Sequence, residues 1–134
     1  MHKIAVYGSL KKGFYNHDRF TMGEMLGVAK VRGAMFLNYS YPHLFREEDS
    51  APEMVKEYEV EIYEIEDREY KGIVGMEVGA GYQEFKTTIT DTSGAEHDVT
   101  IFFARDGASH YKNNWIGAYD RTTAPHAYRD EVVA

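Results

Sequence analysis

The sequence predicts an α+β protein whose strands form one small, barrel-like sheet. Three observations carry that reading: two strand segments with clear apolar patterning, a paired alternation typical of a hairpin, and little helical periodicity. Composition agrees, because 11 Tyr, 7 Phe and 1 Trp accompany several Val and Ile runs. At 134 residues the chain has the length of one domain, so residues 1–134 are expected to form a single unit with an irregular tail from about residue 120. No internal repeat, low-complexity tract or Pro/Ser-rich linker breaks it.

In chain order, His2 to Tyr7 reads as a first strand, buried because Ile4-Ala5-Val6-Tyr7 is short, continuous and apolar. After a loop from Gly8 to Gly13, Asn16 or Asp18 is expected to N-cap a short helix through Leu26, with Gly27 as its left-handed stop. A strand over about Val28 to Leu37 follows, and Gly33 inside it marks a bulge or close packing. "NYSYPHLFREEDSAPE" is turn-rich and predicts a surface loop. "VKEYEVEIYEI" alternates, with Tyr58, Val60 and Ile62 set against Glu57, Glu59 and Glu61. It predicts a half-exposed strand with an acidic outer face and an irregularity near Ile62-Tyr63. "DREYKGIVGMEVGAGY" holds four glycines and reads as irregular. Phe85-Thr87-Ile89 and Val99-Ile101-Phe103 alternate around Asp91 to Gly94, which predicts a β-hairpin. A short helix is expected over Tyr111 to Tyr119.

Several function classes drop out. Fifteen Lys and Arg against 22 Asp and Glu give a net charge of −7, which disfavours sequence-independent nucleic-acid binding. No run of about 18 apolar residues predicts a membrane span. The opening apolar run is too short for a secretory segment, and a cytoplasmic location is expected. With no cysteine, the chain has no disulfide, thiolate or cysteine-zinc chemistry.

Two places could carry chemistry. At Gly8-Ser9-Leu10 successive N–H groups can converge on an anion, and glycine permits that geometry, although the spacing alone favours an ordinary turn. "GSLKKG" lacks the Gly-Lys-Ser/Thr ending of a phosphate-binding loop, and Lys11 and Lys12 are expected to be solvated. Glu77 lies among apolar residues and glycines. A carboxyl there can be buried with a raised pKa, as suits a general acid/base, or can stand exposed in a flexible loop. His2, His17, His43, His97, His110 and His126 show no metal-ligand spacing, so no metal site is expected. Ser9 has no Gly-x-Ser-x-Gly context, which leaves a serine-hydrolase triad unsupported.

"VYGSLKKGFYNH" resembles the N-terminal signature of the gamma-glutamylcyclotransferase-like family, most closely its gamma-glutamylamine cyclotransferase branch. Tyr7, Gly8, Ser9, Leu10, Lys11, Lys12, Gly13 and Asn16 occupy the matching positions. Leu26-Gly27, Gly33 and Tyr41-Pro42 continue the likeness. "IVGMEVGAGYQE" supplies Glu77 and Tyr82 in the family's order, and "NNWIGAYD" is similar to a C-terminal segment containing Trp. The resemblance spans about residues 3 to 119. It implies a small mixed β-barrel with a few short helices and a cofactor-free enzyme. Such an enzyme converts a small gamma-glutamyl amine or amide to 5-oxoproline and free amine. By the same resemblance Glu77 is the general acid/base, the amides of Gly8, Ser9 and Leu10 hold a carboxylate or oxyanion, and Tyr7 and Tyr82 line the pocket. Ile73-Val74 replace the family's Leu-Asp and Val78 replaces its Gly. Those departures motivate an alternative, a non-catalytic module that binds a small molecule or partner in the same cavity. A different amide or ester chemistry there is equally compatible with the fold.

Overall fold

Strand β1 (His2–Val6) runs through the middle of the sheet, and both of its faces are covered. Ile4 and Val6 pack with Tyr63, Ile65 and Ile73 on one side, while Ala5 packs with Val60, Ile62 and Ile101 on the other. That is why the strand is apolar without alternation. The computed structural model describes residues 1–20, 22–38, 41–105, 115–120 and 123. After β1 come α1 (Tyr15–Arg19), β2 (Met25–Asn38), β3 (Tyr41–Arg46), two 3₁₀ turns (Glu47–Asp49 and Pro52–Met54) and β4 (Lys56–Ile65). The chain continues through α2 (Asp67–Gly79), β5 (Tyr82–Thr90), β6 (Glu96–Ala104) and β7 (Trp115–Ile116).

The strands lie in the order β3-β2-β4-β1-β6-β5, with β7 added to β2. All neighbours are antiparallel except β1 and β6, which run parallel. The sheet curls until β3 returns against β6, and the Arg46 guanidinium lies 4.8 Å from the centre of the Phe85 ring across the gap. The result is the small mixed half-barrel that the resemblance implies. One core fills the curl, and a second lies between the sheet's convex face and α2. No helix of the described residues is long and apolar enough to cross a membrane.

Long β2 changes partners at Gly33, which pairs with Lys56 of β4 and Arg46 of β3. A Cβ there would stand 2.3 Å from the Phe45 carbonyl oxygen, so the predicted close packing is what glycine serves. Irregularity near Ile62-Tyr63 occurs on the opposite strand, where β2 slips register between Met25 and Gly27. The predicted hairpin of β5 and β6 forms, with Phe85 facing Ile101 and Thr87 facing Val99.

Four expectations are corrected. The first helix is a single turn that ends at Phe20, neither Asn16 nor Asp18 caps it, and Gly27 lies inside β2. There the missing side chain leaves room for the Asp91 carboxylate, whose Oδ2 would be 2.7 Å from a Cβ. Residues 41–46 are not loop but edge strand, a place where Pro42 disturbs no ladder. "DREYKGIVGMEVG" is a helix, because Tyr70 and Ile73 bury one stripe while Gly75 and Gly79 face solvent and Gly72 lies beside the Phe20 ring. Packing outweighs a propensity cost of about 1 kcal/mol per glycine. Trp115–Ile116 is strand rather than helix, tied down by the Tyr58 hydroxyl donating to the Ile116 carbonyl at 2.6 Å. The rest of that predicted helix, residues 111–114, lies outside the described residues, as does most of the predicted irregular tail.

Candidate active site

The end of β1, the turn that follows it, the start of β3 and the last turn of α2 meet around a cavity of about 80 Å³. Its wall contains all six residues singled out from the sequence: Tyr7, Gly8, Ser9, Leu10, Glu77 and Tyr82. Asn16, Pro42, Met76 and Phe102 complete most of the lining, which is mainly apolar.

Glu77 reaches this place because of helical spacing. It follows Tyr70 by seven residues and Ile73 by four, so it extends the buried stripe of α2 beyond its apolar part. Burial penalises the carboxylate and raises its pKa from 4.5 to about 7. The loop alternative for Glu77 is thereby corrected: the residue is helical and faces an apolar cavity.

Opposite stands the Gly8–Gly13 turn. Its internal bonds run from Lys11 N–H to the Gly8 carbonyl at 2.9 Å and from Phe14 N–H to the Lys11 carbonyl at 3.0 Å. No N–H of Gly8, Ser9 or Leu10 finds a partner among the described residues. Gly8 is required by its neighbour on β3, since a Cβ would come 2.7 Å from Pro42 Cγ. The turn is held from outside. Lys12 N–H donates to Glu61 Oε1 at 2.8 Å, and the same oxygen accepts the Tyr63 hydroxyl at 2.8 Å. His17 Nδ1–H donates to the Leu10 carbonyl at 2.9 Å. Lys11 is buried, not solvated as predicted, and its Nζ donates to the Tyr119 carbonyl at 3.0 Å. Only Lys12 has an exposed side chain.

Both tyrosines have committed their protons. Tyr7 donates to the Phe102 carbonyl at 2.5 Å, and Tyr82 donates to the Pro42 carbonyl. Burial, with Tyr82 and Glu77 nearby, pushes the Tyr7 phenol well above its usual range. His43 stacks on Tyr82 with ring centres 5.2 Å apart, and burial lowers its pKa. Four histidines fall in separate places: His2 on Asp67, His17 on the turn, His43 on Tyr82 and His97 on Asp91. His110 and His126 lie outside the described residues. Ser93, Asp91 and His97 do cluster, but Ser93 donates to Asp91 rather than to His97, so no serine relay exists there.

One contributor escaped the sequence reading, and two entered it only as matched positions. Glu61 counted as part of an acidic outer face, yet it is buried and braces the turn. Pro42 sat in a supposed loop. Asn16 was a matched position only; here its Nδ2 donates to Ser9 Oγ at 2.7 Å. The one sequence signal for Glu61 is the burial of both faces at Ile62-Tyr63, which covers the strand end where it lies.

The curled mixed sheet with two helices is the half-barrel of the gamma-glutamylcyclotransferase-like proteins. The chain belongs to the gamma-glutamyl cyclotransferase, AIG2-like family, whose model matches residues 4–121, and it is a cyclotransferase of that family. It is 29% identical over 107 residues to "Putative gamma-glutamylcyclotransferase" of Methanocaldococcus jannaschii, covering 77% of this chain and 84% of that protein. Its fold is similar to that of an AIG2-like protein from Mus musculus, with a TM-score of 0.72 at 19% identity, over 96% of this chain and 94% of the other. An uncharacterized protein from Pyrococcus horikoshii gives 0.66 at 22% identity, over 94% and 96% of the two chains.

Proposed function

We propose that this enzyme converts a gamma-glutamyl amine or amide to 5-oxoproline and a free amine, with Glu77 as general acid/base. The observation that carries the proposal is Glu77 itself, a buried carboxyl with a pKa of about 7 in the wall that also holds the Gly8–Leu10 turn. The substrate's α-ammonium gives up a proton to the Glu77 carboxylate, and its nitrogen attacks the γ-carbonyl to close a five-membered ring. As the tetrahedral species collapses, the γ-carbon–nitrogen bond breaks, Glu77 returns its proton to the departing amine, and the ring nitrogen sheds its second proton to that amine, which leaves as an ammonium. Nucleophile and electrophile share one molecule, so the cavity's main task is to hold an attacking conformation. The free N–H groups of Gly8, Ser9 and Leu10 suit a carboxylate or the developing oxyanion. Tyr7 and Tyr82, with protons already donated to the backbone, act as walls and acceptors. As written, the chemistry requires no cofactor.

Departures from the family pattern leave Glu77 supported. Ile73 is fully buried on the inner side of α2, and Val78 is 41% exposed beside Glu77. Glu77→Gln keeps the shape and removes the base. It is expected to lower 5-oxoproline release from γ-glutamyl amines by roughly 10²–10⁴-fold with an unchanged circular dichroism spectrum. In wild type kcat/KM should rise with pH through about 7 as Glu77 ionises. Unchanged turnover in Glu77→Gln would overturn the assignment.

A further inference from the structure

Asn16 carries a polar atom that the fold leaves without a partner. It is 4% exposed, yet its Oδ1 is buried with no hydrogen bond, while Nδ2 is engaged by Ser9 Oγ at 2.7 Å. Leaving a buried acceptor unpaired costs about 1–3 kcal/mol. The residue lines the cavity next to the turn whose N–H groups have no partner among the described residues, so a ligand can supply the missing donor. Which donor follows from charge. Among the described residues no Lys or Arg lines the cavity, and the groups suited to an anionic end are therefore the amides of the turn. A γ-glutamyl carboxylate seated there is one carbon away from its own α-nitrogen. The acceptor tied directly to Ser9 is then well placed for that nitrogen. Because Ser9 Oγ accepts from Asn16, its own hydrogen remains available as a further donor toward the carboxylate.

We propose that Asn16 is a specificity-determining contact of this site, its carboxamide oxygen accepting a hydrogen bond from the α-nitrogen of the ligand. The inference rests on the cyclotransferase reading above. It makes Asn16 bifunctional: one end fixes the turn through Ser9, and the other selects ligands with an N–H beside the carboxylate. In the reaction that same bond would aim the amine toward the γ-carbonyl while Glu77 takes its proton.

The test separates selection from turn-holding by changing the ligand as well as the protein. Binding is measured by calorimetry for 5-oxoproline and for 3-oxocyclopentane-1-carboxylate, in which CH₂ replaces the ring N–H. Wild type should prefer 5-oxoproline by about tenfold, the value of one buried hydrogen bond. Asn16→Ala should erase that preference, lowering 5-oxoproline affinity more than affinity for the ketone. Asn16→Asp keeps an acceptor and should retain the preference even as its charge weakens both ligands. Equal losses for the two ligands in Asn16→Ala, or a preference lost in Asn16→Asp, would overturn the proposal and leave Asn16 as a brace for Ser9. If wild type binds neither ligand, the proposed conversion to 5-oxoproline in this cavity falls as well. If it binds both equally, the Asn16 contact alone falls.

Discussion

The Asp91–Gly94 turn and the Gly8–Gly13 loop both follow strands and both combine serine with glycine, but their N–H groups meet different fates. In the first, Asp91 Oδ1 accepts from Ser93 N–H at 2.8 Å, Ser93 Oγ at 2.6 Å and Ala95 N–H at 3.0 Å. Its other oxygen lies 2.7 Å from His97 Nε2. That turn supplies its own anion. In the second, the bracing carboxylate of Glu61 takes only Lys12 N–H from the loop, and the N–H groups of Gly8, Ser9 and Leu10, residues that line the cavity, have no partner among the described residues. The acids differ in parallel. Hydrogen bonds from Ser93 and His97 hold Asp91 below the usual carboxylate range, whereas burial lifts Glu77 to about 7. A closed set of bonds stabilises a turn, while an open set beside a poised acid is suited to chemistry.

The hardest blow to the contrast falls on Gly8. Adding a methyl group there forces 2.7 Å on the Pro42 ring, a rigid neighbour that cannot swing away. Gly8→Ala should therefore displace the turn, and a shift approaching 1 Å costs on the order of 10²-fold in kcat/KM. Steady-state kinetics on folded protein check this, and wild-type kcat/KM would mean that the turn's position is irrelevant. The second test reads stability. A carboxyl whose folded pKa is raised destabilises the fold above its unfolded pKa, with the penalty growing from about pH 4.5 to 7 and constant beyond. At about 1.4 kcal/mol per pKa unit the penalty is on the order of 3–4 kcal/mol. Glu77→Gln should accordingly melt several degrees higher than wild type at pH 8 and alike at pH 4. A variant that melts lower at pH 8 would place Glu77 in a stabilising role.

Local patterns made half of this molecule readable. The β5–β6 hairpin announces itself through strict alternation around a turn, and β1 through an unbroken apolar run. What sequence hid was set by distant partners. Glycines at 72, 75 and 79 disguised α2, although Tyr70, Ile73 and Glu77 already stood at helical spacing. Pro42 suggested a turn because nothing nearby says that residues 41–46 form a sheet edge. Glu61 reads as one more surface acid until the fold brings it to Lys12, 49 residues earlier. Composition showed Glu77 in apolar company, but its distance from the turn in sequence concealed their meeting.

The gentlest test leaves the cavity alone and addresses the closed turn. Asp91→Asn retains the shape and removes the charge that His97 and Ser93 favour. Because the folded pKa is depressed, that charge stabilises the protein above the unfolded pKa near 4, and the gain is lost as pH falls through the folded value. At pH 7 the variant should melt below wild type, and the gap should narrow steadily on acidification below pH 4. Its kcat/KM should stay within about twofold of wild type, since no residue of this turn lines the cavity. A gap that ignores pH would assign the stabilisation to hydrogen-bond geometry rather than to charge. A large loss of activity would instead couple the two turns, with β6 as the connection, since it carries His97 beside one turn and Phe102 in the wall of the other. In that case the closed turn would be part of the site's support, and the division between a stabilising turn and a chemical one would give way.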